Sequence, residues 1–218
     1  MGRITAVKEQ KGDPSRVSVF VDGDFVCGLY RTDAELSDIT VGRELTAGET
    51  EELLAAADED RAYRYTLHFL TFRRRSTSEV EKRLLLKGFS TATVSLVVKR
   101  LTGEGYLDDA EFARAWVRDR LALKPKGKRA LVIELKAKGV TATIAESAVE
   151  EILTEDEEIL ARRALMGFER RLVMGSPGDA KKRTYAFLIR RGFPSDIAAK
   201  LSDEARELVS KGAADDDP

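Results

Sequence analysis

The sequence of 218 residues lacks most of the side chains from which catalytic and metal sites are built. It contains one cysteine, Cys27, and one histidine, His68. No internal disulfide can therefore form, and no cysteine–histidine cluster has metal-ligand spacing. No glycine-rich loop of the Walker or dinucleotide type occurs. We interpret His68 and Cys27 as structural residues, and we expect a protein that is not an enzyme and holds no cofactor.

Long apolar runs and side-chain amides are also missing. No apolar run reaches the roughly 18 residues of a membrane span, and the first residues carry no apolar signal region. A single cysteine suits a reducing compartment, so we expect a cytoplasmic protein. We also expect a monomer without a membrane partner. Asparagine is absent and Gln10 is the only glutamine. These amides are the usual readers of adenine, so their scarcity argues against sequence-specific reading of DNA.

Charge is unevenly distributed although the net charge is only −1. Residues 61–140 contain 19 Lys and Arg against 8 Asp and Glu, whereas residues 1–60 contain 6 against 14. A basic segment can bind phosphate or an acidic protein face whatever the rest of the chain carries. The cations that group at predicted helix ends and in one loop are the candidate contact residues. They are Arg73, Arg74, Arg75, Lys82, Arg83, Lys87, Lys99, Arg100, Lys124, Lys126, Lys128 and Arg129.

The N-terminal residues have the pattern of β-strands. Two runs rich in β-branched and aromatic residues flank Asp22-Gly23, which is typical of a two-residue hairpin turn. The run "RITAVKEQ" predicts a third strand. Thr46 and Glu49 have the spacing of a capping box, which predicts the start of a helix. We therefore expect a β-rich extension over 1–45 and a connecting helix over 46–60.

A short pattern then occurs three times, around Gly88, Gly139 and Gly192. Each glycine has a leucine four residues before it, a cation one residue before it and an apolar residue one after it. This pattern is typical of a helix that ends in a left-handed glycine cap. The spacings of 51 and 53 residues leave room for three short helices in each repeat, which predicts an array of similar units.

The predicted fold is mainly α-helical. It consists of three tandem three-helix modules in an extended array, preceded by a small N-terminal β-hairpin or sheet region. The predicted module boundaries are 61–106, 107–153 and 154–212, followed by an acidic tail over 213–218.

The acidic pair Asp108-Asp109 could bind Mg²⁺, which would make the protein a metal nuclease. The pair directly precedes the helical run "AEFARAW", where acidic side chains cap and stabilise a helix N-terminus. We therefore interpret the pair as the N-cap and a first-turn acid of this helix, and keep the nuclease as the weakest alternative.

The first two repeats resemble the RecX family in a series of short motifs. The family pattern has Arg-x-Arg-Ser before a glutamate-led helix, a Lys-Gly-Phe turn, a Gly-Tyr-Leu-Asp-Asp link and a Phe-Ala pair. The matching residues are Arg73, Arg75-Ser76, Glu79, Lys87-Gly88-Phe89, Gly105-Tyr106-Leu107-Asp108-Asp109 and Phe112-Ala113. The second repeat matches with Gly127, Glu134-Leu135 and Lys138-Gly139-Val140.

This resemblance implies a function in DNA repair and the SOS response. RecX-like proteins modulate, and usually inhibit, the RecA recombinase. They bind in the groove of RecA filaments on single-stranded DNA and suppress ATP hydrolysis, strand exchange and co-protease activity. The implied partners are the RecA filament and single-stranded DNA, contacted directly or through RecA. The alternative is a DNA-binding transcription regulator, because three-helix units can also form helix-turn-helix modules.

Overall fold

The computed structural model describes residues 2–166 and 176–215, with backbone alone for 212–215. These residues form four strands and ten helices. The mainly helical class with an N-terminal sheet is therefore confirmed. The chain divides into two compact units: Met1–Arg75 with Glu79–Leu107, and Ser76–Ser78 with Asp108–Pro218.

The N-terminal sheet is antiparallel, with strand order β3-β2-β1-β4. Its strands are β1 (Gly2–Gln10), β2 (Asp13–Val21), β3 (Asp24–Tyr30) and β4 (Glu44–Leu45). The β2–β3 turn consists of Asp22 and Gly23, with φ angles of 52° and 95°. Two successive positive φ angles characterise the tight turn that matches strand twist, so the hairpin prediction is confirmed.

Two helices follow the first three strands, α1 (Arg31–Leu36) and α2 (Ala47–Thr71). The predicted capping box is present: Glu49 N–H donates to the Thr46 hydroxyl, and Thr46 N–H donates to the Glu49 carboxylate. The helix continues for 25 residues without a break. The predicted boundary at residue 60 therefore lies inside a continuous helix.

The first unit contains two apolar clusters. One lies between the sheet and the first half of α2 and includes Ile4, Val19 and Leu53. The other joins the second half of α2 to α3 (Thr77–Leu86) and α4 (Thr91–Gly103). Its buried side chains include Leu84 and Leu101, which lie on the inward faces of α3 and α4.

The described residues of the second unit form six helices around one apolar cluster. They are α5 (Asp109–Leu123), α6 (Lys128–Ala137), α7 (Ala142–Ile152), α8 (Glu157–Met166), α9 (Pro177–Arg190) and α10 (Ser195–Asp215). Leu131 and Leu135 of the second predicted module share this cluster with Leu160 and Leu188 of the third. The boundary between these modules at residue 153 stays a prediction, because their buried faces form one core.

The three glycine turns have the same backbone geometry. Gly88, Gly139 and Gly192 have φ angles of 86°, 83° and 80°. In the first turn Phe89 N–H donates to the Leu84 carbonyl at 3.3 Å and Gly88 N–H to the Leu85 carbonyl at 2.9 Å. The equivalent two bonds close the other turns, so each is a Schellman motif. The predicted glycine caps are confirmed.

Helix α10 runs through Asp215, into the segment predicted as an acidic tail over 213–218. Residues 216–218 of that prediction lie outside the described residues. None of the helices that the structure describes is long and apolar enough to cross a membrane.

Candidate functional site

The predicted contact residues fall in both units, and each group has its own surroundings. The first unit holds the eight cations from Arg73 to Arg100, and the second unit holds the four from Lys124 to Arg129. The structure brings three of the first group together against aromatic rings. Three others have exposed side chains: Arg74 in the α2–α3 link, Lys82 on α3 and Lys99 on α4.

Tyr65 and Phe69 lie one turn apart on α2, and three cations cover their rings. The Arg83 guanidinium lies 5.8 Å from the centre of the Tyr65 ring and 5.6 Å from that of Phe69, and its Nε donates to the Tyr65 hydroxyl at 2.6 Å. Arg75 lies 4.1 Å from the Phe69 ring centre, and Lys87 Nζ lies 5.5 Å from that of Tyr65. We call these five residues the cationic–aromatic face.

The cationic–aromatic face concentrates positive charge at low conformational cost. Burial, followed by the charge of Arg73, lowers the pKa of the half-buried Arg75. The ring contacts hold the Arg83 and Arg75 guanidinium groups in place through cation–π attraction. Less side-chain entropy is lost when such pre-positioned cations bind an anion.

Two other candidate arginines are already paired with carboxylates. Arg73 forms two hydrogen bonds with Glu79, at 2.9 and 3.0 Å. Arg100 donates to Glu104 at 2.9 Å and lies 4.0 Å from the Tyr63 ring centre. The bond to Glu104 raises the pKa of Arg100 despite partial burial. Both arginines are therefore less available to a partner than Arg83 or Lys87.

In the second unit, Glu134 of α6 accepts three donors. Trp116 Nε1 donates at 3.0 Å and Arg120 Nε at 2.7 Å, and Lys126 forms an ion pair with the same carboxylate. Burial would raise the pKa of Glu134, but the three hydrogen bonds outweigh burial and lower it. Lys126 is therefore part of a fixed polar cluster, whereas Lys124, Lys128 and Arg129 are exposed.

A groove of about 670 Å³ lies between the start of α6 and the end of α9. We call it the α6–α9 groove. Its cationic lining includes Lys128 and Arg129, which the sequence indicated, and Arg190, which it did not. Ile133 and Ile189 add exposed apolar surface. Sequence reasoning missed Arg190, Ile133 and Ile189, because only the packing of α9 against α6 brings them together.

The residues considered for chemistry have structural surroundings. Asp108 accepts hydrogen bonds from the Ala110 and Glu111 amides at 2.8 and 2.9 Å, and Asp109 accepts from the Thr77 amide at 2.8 Å. The capping interpretation of Asp108 is therefore confirmed. No group of His, Cys, Asp or Glu that could hold a metal occurs among the described residues.

His68 and Cys27 both lie in ordinary structural surroundings. His68 makes an edge contact with the Phe72 ring, at 5.1 Å between ring centres. Burial raises the pKa of the Cys27 thiol to about 11, so it remains protonated at neutral pH.

The fold and these surfaces define a helical repeat protein with a small N-terminal sheet and clusters of cationic side chains on its surface. Family models confirm the repeats: residues 62–101 match "RecX, first three-helix domain" and residues 108–149 match "RecX, second three-helix domain". Similarity to curated proteins extends much further along the chain.

The regulatory protein RecX of Bacillus subtilis (strain 168) is 30% identical over 207 residues, which are 92% of this chain and 76% of the relative. The regulatory protein RecX of Pelodictyon phaeoclathratiforme is 35% identical over 158 residues, 72% of this chain and 94% of the relative. The chain therefore belongs to the RecX family.

Solved structures support the same fold. A crystal structure of a regulatory protein RecX superimposes with a TM-score of 0.76 at 21% identity, covering 93% of this chain and all of that one. A second, of RecX from Lactobacillus salivarius, gives a TM-score of 0.53 at 22% identity and covers 69% of this chain and 97% of that one.

Proposed function

We propose that this protein is a non-enzymatic regulator of the RecA recombinase, and that it inhibits RecA filaments on single-stranded DNA during DNA repair and the SOS response. Membership of the RecX family over most of the chain carries the proposal. The cationic–aromatic face supports it, because it presents fixed positive charge to an anionic target.

The proposed mechanism is occupation of the filament groove. A bound regulator needs no chemistry of its own if it binds the poorly hydrolysing state of the filament more tightly than the active state. Successive helical units can each make a weak contact, because the first contact raises the effective concentration of the next. The result would be lower ATP hydrolysis, strand exchange and co-protease activity.

Within this proposal, Arg83 and Lys87 are the strongest candidates for contact with the filament. Both are exposed, and both are held against the Tyr65 ring. The target would be either the DNA phosphates or an acidic surface of RecA. A phosphate contact would weaken steeply with salt, because binding releases counterions from the DNA.

The direct test is the rate of ATP hydrolysis by RecA on single-stranded DNA as this protein is titrated in. Hydrolysis should fall with rising protein, and the double variant Arg83→Ala/Lys87→Ala should require a higher concentration for the same effect. The matched control Lys11→Ala/Lys182→Ala removes two exposed lysines elsewhere and should behave as wild type. Unchanged hydrolysis at saturating protein would exclude inhibition.

A footprinting experiment on duplex DNA separates this function from that of a transcription regulator. A regulator of that kind would protect a specific duplex sequence from cleavage in the presence of competitor DNA. The absence of asparagine and the single glutamine do not favour such reading. We therefore expect no sequence-selective footprint.

A further inference from the structure

The α6–α9 groove combines unpaired cations with exposed aliphatic side chains. Among the described residues, no ion pair engages the side chains of Lys128, Arg129 or Arg190, and all three are exposed. In the lining of the same groove, the Ile133 side chain is 56% exposed and the Ile189 side chain is 41% exposed. A surface of this composition suits a ligand that carries both negative charge and apolar groups.

The carboxylates in the groove wall are already occupied. Glu134 is held by Trp116, Arg120 and Lys126. Glu157 accepts a hydrogen bond at 3.0 Å from the backbone amide of Lys128, at the start of α6. The lining carries four cations against these two carboxylates, so its formal net charge is +2.

Backbone contacts across its floor fix the shape of the groove. Gly127 N–H donates to the Arg191 carbonyl at 3.0 Å, and Arg191 Nη1 donates to the Pro125 carbonyl at 3.0 Å. A Cβ atom at Gly127 would overlap the Gly192 carbonyl, so the two chain segments touch backbone to backbone. A groove whose shape is already fixed loses less conformational entropy when a ligand binds to it.

We propose that the α6–α9 groove docks an acidic peptide segment of a partner protein, with aliphatic side chains of that segment placed on Ile133 and Ile189. Charge complementarity with Lys128, Arg129 and Arg190 would orient the segment. The inference rests on the proposed function only for the identity of the partner, which would be a subunit of the filament.

A nucleic acid is the less suitable occupant. Phosphates would match the cations but would leave Ile133 and Ile189 in water. Single strands usually add base stacking on exposed aromatic rings, and the aromatic residue of this groove, Phe193, is buried. Oligonucleotide binding therefore serves as the competing outcome of the test.

The test measures fluorescence anisotropy of two labelled probes with the full chain. One probe is a peptide of about 12 residues composed of Asp, Glu and Leu, with leucines four positions apart so that they share one helix face. The other is an oligothymidylate of about 20 nucleotides. We expect Ile133→Ser, Ile189→Ser and Arg190→Glu each to weaken peptide binding about tenfold or more.

Two controls match these variants. Ile159→Ser alters an isoleucine that is also 56% exposed but lies outside the groove, and Lys182→Glu reverses an exposed charge on α9 away from it. Both should bind the peptide as wild type does. Circular dichroism of every variant checks that it is folded.

Three results would overturn the inference. They are no peptide binding by wild type up to about 1 mM, equal loss in groove and control variants, or oligothymidylate binding that needs Arg190 but neither isoleucine. The rate of ATP hydrolysis by RecA on single-stranded DNA, measured with the same variants, separates this proposal from the proposed function. Inhibition without groove-dependent peptide binding would leave the proposed function standing alone, whereas groove-dependent peptide binding without inhibition would refute only the assignment to RecA.

Discussion

At the scale of single residues, the Glu134 carboxylate of the second unit accepts hydrogen bonds from three different side chains. Its three donors are Trp116, Arg120 and Lys126. Glu134→Gln keeps the shape but replaces charge-assisted hydrogen bonds with weaker neutral ones. We expect the free energy of unfolding to fall by about 1–3 kcal/mol. Urea denaturation followed by the fluorescence of Trp116, the only tryptophan, measures this change.

Glu146→Gln is the matched control for this variant, because Glu146 is an exposed glutamate on α7. Its free energy of unfolding should change by no more than about 0.5 kcal/mol. Equal losses in the two variants would contradict the role assigned to the Glu134 cluster. The wavelength of Trp116 emission should shift in Glu134→Gln alone, because only that variant alters the partner of the indole N–H.

Alanine substitutions at two of the repeated glycines distinguish the stability cost of backbone strain from that of close packing. Both have positive φ, but a Cβ atom at Gly88 would meet nothing within 4 Å, whereas at Gly139 it would overlap the Ser78 side chain. We expect Gly88→Ala to destabilise the protein by roughly 1–2 kcal/mol, the cost of a left-handed alanine. Gly139→Ala should cost at least about 1 kcal/mol more. Thermal unfolding of both variants compares them, and equal costs would contradict a close contact at Gly139.

The limits of sequence reasoning are clear at this scale. Gly88 and Asp108 could be assigned from local rules, since a helix cap depends on a few neighbouring residues. The roles of Tyr65 and Phe69 could not, because their ring contacts depend on where α3 packs. Their spacing of four on one helix was the available signal, and it also fits ordinary core residues.

At the scale of elements, one buried ion pair joins the N-terminal sheet to α2. Arg16 of β2 and Asp60 of α2 are 2.5 Å apart, and their side chains are 4% and 9% exposed. Asp60→Ala would leave the guanidinium buried without its counter-ion, so we expect a loss of about 3–5 kcal/mol in the free energy of unfolding. Chemical denaturation of the full chain measures it.

The double variant Arg16→Met/Asp60→Leu tests the cause of that loss. Replacing both charges with apolar groups removes the uncompensated charge, so stability should return close to that of wild type. Asp58→Ala is the control: Asp58 pairs with Arg61 on the surface of the same helix, and losing that pair should cost at most about 1 kcal/mol. If the double variant is no more stable than Asp60→Ala, the loss of stability comes mainly from packing around Arg16 and not from its uncompensated charge.

The ends of elements were easier to predict than their continuity. The hairpin turn at Asp22-Gly23 and the start of α2 at Thr46 followed from turn and cap chemistry. The predicted boundary at residue 60, between the connecting helix and the first module, coincides with a change from an acidic to a basic segment. Charge does not end a helix, and no glycine or proline interrupts α2 beyond Gly48, so the helix continues through this point.

At the scale of the whole molecule, the helical repeat could be predicted from the sequence, whereas the α6–α9 groove could not. Local periodicity indicated helical units, because each unit repeats the same short cap pattern. The α6–α9 groove and the shared core of the second unit depend on residues far apart in the chain, such as Leu131 and Leu188, which belong to one apolar cluster. No short pattern encodes such contacts, so Arg190 was absent from the predicted contact residues.

Carboxylates in both units have lowered pKa values, which predicts a common dependence of stability on pH. Hydrogen bonds from Tyr63 and Arg100 lower the pKa of Glu104, and those from Lys200 and Arg162 lower the pKa of Glu158. A carboxyl whose folded pKa lies below its unfolded value stabilises the fold above the unfolded pKa and loses that contribution as pH falls through the folded pKa.

We therefore expect the free energy of unfolding to be nearly constant from neutral pH down to about 5, and to fall below the ordinary glutamate pKa of 4.5. Urea denaturation at a series of pH values measures this dependence. A variant with Glu104→Gln and Glu158→Gln should be less stable at neutral pH and should lose less on acidification, because two of the responsible groups no longer titrate. Identical slopes below pH 4.5 for this variant and wild type would show that these ion pairs do not contribute to stability in solution.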